Sequence, residues 1–369
     1  MSLKKRLFTA GASGLTGTEH FNTITYTGNN TYNGVPQAIT TVGFPPDYFW
    51  IKDKANYEHF VGFNSSDNTA HSSGLVPFSR ITSYHYVSNA GGGVDDFLSN
   101  GFSLLSDFNT NANGVSYAAW NWKCGGEVSV DNTATSGAMT ANSVSVDGAL
   151  QSSYTPSGSP SKYPKKMSVN TVAGQSLITY VGPNGGTIPH GLTQAPELIW
   201  WGVRANQATR WVWSNQLSTN FVLKLSDPAA QTNNNGILNS SLPTSTLIPI
   251  GTNVAAGDSG YTYMLMAVHS VDGYSKIGKY TGNGSTSNAI TGLGFTPRFV
   301  MIKAINRTGE WIIVDSERGE GKSMSIENRP ENGRVSANSF SLDSDGFTIE
   351  TSDTDVNSNG YNYLYYAIA

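Results

Sequence analysis

Short runs of Val, Ile, Thr and aromatic residues alternate along the chain with clusters of Gly, Asn, Pro and Ser. Runs of this kind, bounded by turn residues at intervals of about ten positions, are typical of the strands of β-sandwiches and barrels. Helical spacing of apolar residues is not sustained over about eleven positions anywhere, because Ser, Asn and Gly interrupt each candidate. The pattern predicts an all-β fold without a substantial helix.

One pattern of residues occurs three times. Each copy opens with a Tyr-x-Gly sequence, at Tyr26, Tyr180 and Tyr280. A proline then precedes a run of bulky apolar residues, at Pro46, Pro196 and Pro297. Each copy closes with a glycine three positions before a tyrosine, at Gly114, Gly260 and Gly360. Because proline fixes φ and cannot donate to a ladder, we expect the three prolines to mark the start of a strand.

The copies define the expected domain organisation. We predict three tandem β-sandwich units at residues 20–124, 169–274 and 275–369, here called repeats 1, 2 and 3, because about 100 residues is a normal size for one sandwich. An arm, residues 1–19, precedes repeat 1. Residues 125–168 are rich in Ser, Thr, Gly and Pro and poor in large apolar residues, so they are predicted to form a linker or a long surface excursion.

Composition excludes several classes of protein. The 369 residues include 13% charged residues and carry a net charge of −4, without the basic face that nucleic-acid binding requires. The longest apolar runs have the length of a strand, so no membrane span is expected. Cys124 is the single cysteine, so neither an intrachain disulfide nor a thiolate metal cluster is possible. No cofactor is predicted, apart from the calcium ion considered next.

Four alternate oxygen-bearing side chains form a candidate calcium site: Asp353, Asp355, Asn357 and Asn359. Ca²⁺ prefers oxygen ligands, which this spacing would supply. The segment is not an EF-hand, because the twelfth position is Leu364 rather than Glu. The alternative is an Asn-Gly turn that leads into the closing strand.

Trp200 and Trp201 are the candidate contact residues for a glycan. Adjacent strand residues point to opposite faces, so one tryptophan is expected to be exposed. The densest group of acids, residues 315–331, is interleaved with Arg and Lys and is predicted to be a solvated loop. Copies one and two have Asn64 and Asn215 where copy three has Asp315, so the copies share no acid that could serve a glycosidase. No catalytic residue is assigned.

The N-terminal arm has a basic and apolar cluster: Lys4, Lys5, Arg6, Leu7 and Phe8. Terminal segments of this kind stay mobile unless a partner holds them. We predict that the arm docks on a partner surface during assembly. The alternative is that it covers the edge of the first sandwich within the same subunit.

The chain resembles repeat units of virion proteins of tailed bacteriophages, especially marine ones, of the tail-fibre-like or virion structural kind. The sequences that carry the resemblance are VDGYSK at 271–276, YTGNGS at 280–285, DFLSNGF at 96–102 and NWK at 121–123. The resemblance implies jelly-roll or lectin-like sandwiches, other virion proteins as partners and a place on the outer surface of the virion. A homotrimer is expected only from the general symmetry of such assemblies.

Two function classes follow from this resemblance. The first is a non-enzymatic tail-fibre or attachment module that binds host surface glycans, favoured because loops rich in Ser, Thr, Asn and aromatic residues suit adaptable polar contact. The second is a capsid or tail decoration protein that packs on other virion subunits. A glycan-degrading enzyme is a distant third.

Overall fold

The fold is all-β, as predicted, and its strands form several multistranded sheets. Within the part of the chain that is described, the helices are two single turns of four residues. The computed structural model describes residues 15, 17–30, 35–56, 61–65, 79–80, 93–203, 210–225, 227–319, 321–326 and 329–369.

Repeat 1 contains a five-stranded sheet of order β1-β8-β3-β4-β5 and a three-stranded sheet of order β2-β7-β6. All pairs in these sheets are antiparallel. The strands are β1 (Phe21–Thr27), β2 (Gln37–Ile39), β3 (Tyr48–Asp53), β4 (Val61–Asn64), β5 (Ser79–Arg80), β6 (Val94–Leu98), β7 (Gly101–Leu104) and β8 (Ser116–Trp122).

Residues 125–168, predicted to be a linker, instead extend a sheet. This segment holds β9 (Val144–Val146), β10 (Ala149–Leu150) and the start of β11 (Lys166–Asn170). β9 pairs parallel to β11, and Val144 is fully buried. The Asn132 amide group bonds backbone groups of Ala134, Thr140 and Pro164. The linker prediction is therefore wrong, because polar turn residues here satisfy the backbone while a few apolar residues reach the core.

Repeat 2 continues that sheet to nine strands, in the order β10-β9-β11-β12-β19-β14-β15-β16-β17, and adds the pair β13-β18. Its central order corresponds to that of the large sheet in repeat 1. The elements are β12 (Gln175–Val181), β13 (Gly186–Pro189), β14 (Leu198–Val203), β15 (Trp211–Ser214), β16 (Phe221–Lys224), β17 (Thr232–Asn233), α1 (Asn235–Leu238), β18 (Leu247–Ile250) and β19 (Thr262–Val268).

Repeat 3 repeats the topology of repeat 1, with sheets β20-β27-β22-β23-β24 and β21-β26-β25. The predicted prolines precede β3, β14 and β22 by two residues each, which confirms their place at strand starts. The elements are β20 (Ser275–Thr281), β21 (Asn288–Thr291), β22 (Phe299–Ala304), β23 (Ile312–Asp315), β24 (Ser323–Ser325), β25 (Phe340–Asp343), β26 (Gly346–Ile349), α2 (Thr354–Asn357) and β27 (Asn362–Ile368).

Each repeat has a hydrophobic core of its own, and a further core joins all three. Side chains alternate between the two faces of each large sheet, so one face contributes to the core of its repeat and the other to the shared one. In β22, for example, Val300 and Ile302 lie in the core of repeat 3, whereas Phe299 and Met301 lie in the shared core. We call the shared cluster the central core.

The central core brings like ends of the large sheets together. Trp122 lies 6.2 Å from Trp200 and 6.1 Å from Phe299 between ring centroids, so aromatic residues of all three repeats meet. At the opposite end, the Gln231 amide donates to the Ile305 carbonyl, and the Glu331 amide donates to the Lys54 carbonyl. Ile305 and Lys54 directly follow β22 and β3, so these two junctions between repeats are equivalent. The repeats are packed together rather than strung as separate units.

Candidate functional site

The central core buries both candidate tryptophans. Trp200 is 2% exposed and belongs to the central core, whereas Trp201 is 1% exposed and belongs to the core of repeat 2. They do point to opposite faces, as adjacent strand residues must. The prediction that one is exposed is wrong, because neighbouring repeats cover the outer face of β14. Neither residue is available to a glycan.

A pair of stacked tyrosines accounts for the repeated Tyr-x-Gly motif. The pairs are Tyr26 with Tyr117, Tyr180 with Tyr263 and Tyr280 with Tyr363, with ring centroids 5.1–5.3 Å apart. Both hydroxyls of each pair donate to carbonyls of the loop before the closing strand. We call these loops, residues 105–115, 251–261 and 350–361, the clamp loops. A Cβ atom on the motif glycine would collide with a clamp-loop carbonyl, at Gly28, Gly182 and Gly282 alike.

Three of the candidate calcium ligands, Asp353, Asp355 and Asn357, make hydrogen bonds or ion pairs within the protein. The Asp353 carboxylate accepts from the Asp355 amide at 2.8 Å and so caps α2. The Asn357 side chain is buried; its oxygen accepts from Asn283 N at 2.9 Å and Asn288 Nδ2 at 2.8 Å. Asn359 is exposed. Gly360 has φ of +79°, so the segment combines a helical turn with the expected glycine turn.

Asp355 is held by an arginine in a charged network. Its two oxygens lie 2.5 and 2.7 Å from Nε and Nη2 of Arg334. Burial alone would lower the pKa of Arg334, but the hydrogen bond and the charge of Asp355 outweigh it and raise that pKa. Glu310 pairs with Arg329 Nε at 2.7 Å in the same network. Among the described residues, no three His, Cys, Asp or Glu side chains are grouped so as to hold a metal ion. The arrangement therefore fits ion pairing better than a calcium site.

The acidic stretch of repeat 3 is partly internal rather than a solvated loop. Asp315 and Arg318 have fully buried side chains and form an ion pair of 2.6 Å. The Trp120 indole of repeat 1 donates to Asp315 at 3.1 Å, and the Arg318 guanidinium lies 5.4 Å from the same ring. These residues join repeat 3 to repeat 1. They are held in place by packing, which leaves them no access to a substrate.

Among the described residues, five of the nine exposed large apolar side chains lie in or near the clamp loops. Phe108 is 71% and Val35 is 69% exposed, and Val254 holds the position in its clamp loop that Phe108 holds in the first. We call the set the clamp face: Val35, Phe108, Val181, Val254 and Tyr361. These residues were not predicted from the sequence. The available signal was an apolar residue directly after a polar residue at the third position of a clamp loop, Asp107 or Asn253.

The arm cluster, Lys4, Lys5, Arg6, Leu7 and Phe8, lies outside the described residues. Within the same predicted arm, Leu15 is described and belongs to the central core. In the part of the chain that the structure describes, no helix combines the length and apolar content needed to cross a membrane.

Comparison with known proteins places the chain in one family. No curated protein and no solved structure matches it. A family model described as a domain of unknown function, DUF7483, matches residues 16–161 and 150–369, which is nearly the whole chain. The chain therefore belongs to the DUF7483 family.

Proposed function

We propose that the chain is a non-enzymatic structural protein on the outside of a bacteriophage particle, where it docks on other virion subunits through the clamp face. The observation that carries this proposal is that an exposed apolar side chain lies in the clamp loop of each repeat, at Phe108, Val254 and Tyr361. Exposed apolar groups that cluster in this way are typical of protein–protein contacts. The sequence resemblance to tailed-phage virion proteins supports the choice of partner.

The clamp loops are suited to docking because they are rigid before a partner arrives. The tyrosine hydroxyls fix two carbonyls in each loop. A preorganised surface loses little conformational entropy on association, so more of the contact energy appears as affinity. Phe108 in particular offers an aromatic ring on a held backbone, which is the chemistry of an interface anchor.

The test replaces two apolar residues of the clamp face by acids. Phe108→Asp with Val254→Asp is expected to abolish incorporation into particles while leaving thermal unfolding unchanged, since both side chains are exposed. Leu242→Asp is the matched control, because Leu242 is 60% exposed outside the clamp face. Incorporation is measured by protein composition of purified particles. Normal incorporation of the double variant would refute docking through this face.

Attachment to host surface glycans is the second candidate function. The burial of Trp200 and Trp201 removes the contact residues on which it first rested. A different feature favours it, namely a groove in repeat 1 whose charged side chains, Lys123 and Glu19, form no ion pair with the described residues.

A further inference from the structure

A groove of about 610 Å³ opens on repeat 1, at the end opposite to the clamp face. This volume lies within the range of about 300–1,000 Å³ found for small-molecule sites. Its walls come from residues 18–22 at the start of β1, residues 41–44 before β3 and Lys123 after β8. Gly43, with φ of +89°, leaves open space where a side chain would stand.

Two charged side chains of this groove, Lys123 and Glu19, form no ion pair among the described residues, although the charge of Lys123 acts on the buried Asp47 and on His20. Neither the Lys123 ammonium group nor the Glu19 carboxylate forms an ion pair or hydrogen bond with any other described residue. Both residues line the groove, and Lys123 is half-buried whereas Glu19 is exposed. In repeat 3, by contrast, the acids Glu310, Asp315 and Asp355 are all paired.

The floor of the groove is fixed by neighbouring repeats. His20 Nδ1 lies 2.8 Å from the Asn170 amide of β11, and its ring makes an edge contact with Tyr274. The Asn22 side chain accepts from Arg298 of repeat 3 at 3.1 Å. Burial first, and then the charge of Lys123, lowers the pKa of His20, so the imidazole is neutral at pH 7 and its neighbour supplies the positive charge. A ligand would therefore meet a preformed site.

We propose that this groove binds the carboxylate of an acidic sugar within a surface glycan, with Lys123 as the partner of the carboxylate. An ammonium group forms charge-assisted hydrogen bonds with an oxyanion that are stronger than those between neutral groups. The neutral His20, Thr18 and Thr41 offer the mixed donors and acceptors that sugar hydroxyls require. Glu19 at the rim discriminates against ligands with a second negative charge nearby.

The test measures binding of the purified full chain to an array of carboxylated and neutral oligosaccharides. Lys123→Met is expected to reduce affinity for the carboxylated sugars about tenfold or more, the scale of one charge-assisted hydrogen bond. The backbone contacts of residue 123 to His20, Asn170 and Gln175 do not involve the side chain, so the fold is preserved. Lys162→Met is the matched control, because Lys162 is exposed in residues 125–168 and does not line the groove.

The Glu19→Gln variant shows whether the ligand is anionic or cationic, because it removes one negative charge from the groove. An anionic ligand binds this variant equally or more tightly, whereas a cationic ligand binds it more weakly. Absence of binding to every carboxylated sugar, or equal affinity of the Lys123→Met variant and the wild type, overturns the proposal. Docking on virion subunits is measured by incorporation into particles and not by sugar binding. Failure of one proposal is therefore distinguishable from failure of the other.

Discussion

Asp47 is a buried carboxyl group just before β3, and its environment makes the stability of the protein depend on pH. Burial raises the pKa of Asp47 from 3.8 to about 6, although Ser65 Oγ and the Gly126 amide donate to it and favour the charged form. The folded protein thus binds this proton more tightly than the unfolded chain does. The stabilisation is complete below about pH 4 and is lost as the pH rises through 6.

Asp47→Asn should remove this dependence. Between pH 4 and pH 8 the free energy of unfolding of the wild type should fall relative to that of the variant by about 2 kcal/mol, from a pKa difference of about two units. Denaturant titrations at several pH values measure the difference. The exposed Asp272→Asn serves as control, and a constant difference between wild type and Asp47→Asn would contradict the argument.

Asn357 shows how a residue that resembles a ligand can be structural. Its amide nitrogen donates to Asn283 Oδ1, Ser285 O and Thr351 O at 2.8–3.1 Å, and its oxygen accepts two further hydrogen bonds. Asn357→Ala should lower the free energy of unfolding by about 2–3 kcal/mol, because it leaves buried partners unsatisfied. Asn359→Ala, at an exposed position, should have little effect. Addition of Ca²⁺ should leave the melting temperatures of the wild type and of both variants unchanged. An increase in the wild type alone would support the calcium site after all.

At the scale of elements, residues 125–168 behave as part of a sheet. Val144→Ser should expose the segment, because it removes a buried side chain from the core of repeat 2. We expect limited proteolysis to cut residues 125–168 in this variant and to spare them in the wild type. Val130→Ser, at a residue already 36% exposed, is the control. Early cleavage of this segment in the wild type would instead support a linker.

Lys303 joins repeat 3 to repeat 2 through hydrogen bonds of its side chain. Its fully buried ammonium group donates to the carbonyls of Gly309, Ala229 and Pro228 at 2.8–3.0 Å, the last two belonging to repeat 2. Lys303→Met should cost about 2 kcal/mol or more in unfolding free energy, because several buried carbonyls lose their donor. Lys279→Met on the exposed face of β20 should cost little. Equal melting temperatures of the two variants would show that the hydrogen bonds of Lys303 do not contribute to stability.

The presence of strands was predictable from the sequence because it depends on local information, namely short apolar runs between glycine turns and, for β3, β14 and β22, a proline two positions ahead. The residue of copy two that corresponds to Asp315 was predicted wrongly. In the sheet, Ser214 rather than Asn215 occupies the position of Asp315, as its pairing with Leu198 shows. The distance from the aligned proline to this position is 18 residues in all three copies, so the pairing of the strands, and not an insertion, identifies the corresponding residue.

At the scale of the whole molecule, what covers a sheet face cannot be deduced from one strand. Alternation in β14 shows that Trp200 and Trp201 face opposite ways, but only the packing of all three repeats shows that both faces are internal. For the same reason Trp200 and Trp201, which the sequence marked as contact residues, are structural, whereas Phe108 is exposed because it lies in a loop. Which side chains stay exposed and can form a binding site therefore depends on contacts between distant parts of the chain.

A shared core should make the three repeats unfold as one. We expect the wild type to show a single calorimetric transition whose van't Hoff and calorimetric enthalpies agree, as in two-state unfolding. Trp200→Ala with Phe299→Ala removes two side chains from the central core, whereas Trp201→Ala with Ile302→Ala removes one from each sandwich core of the same two repeats. Both pairs should lower the melting temperature, since each large-to-small substitution costs about 2–5 kcal/mol. Only the first pair should divide the transition, because it weakens the contact between repeats while leaving each sandwich core intact. A single transition in both double variants would mean that the polar junctions at Lys54 and Ile305, rather than the central core, couple the repeats.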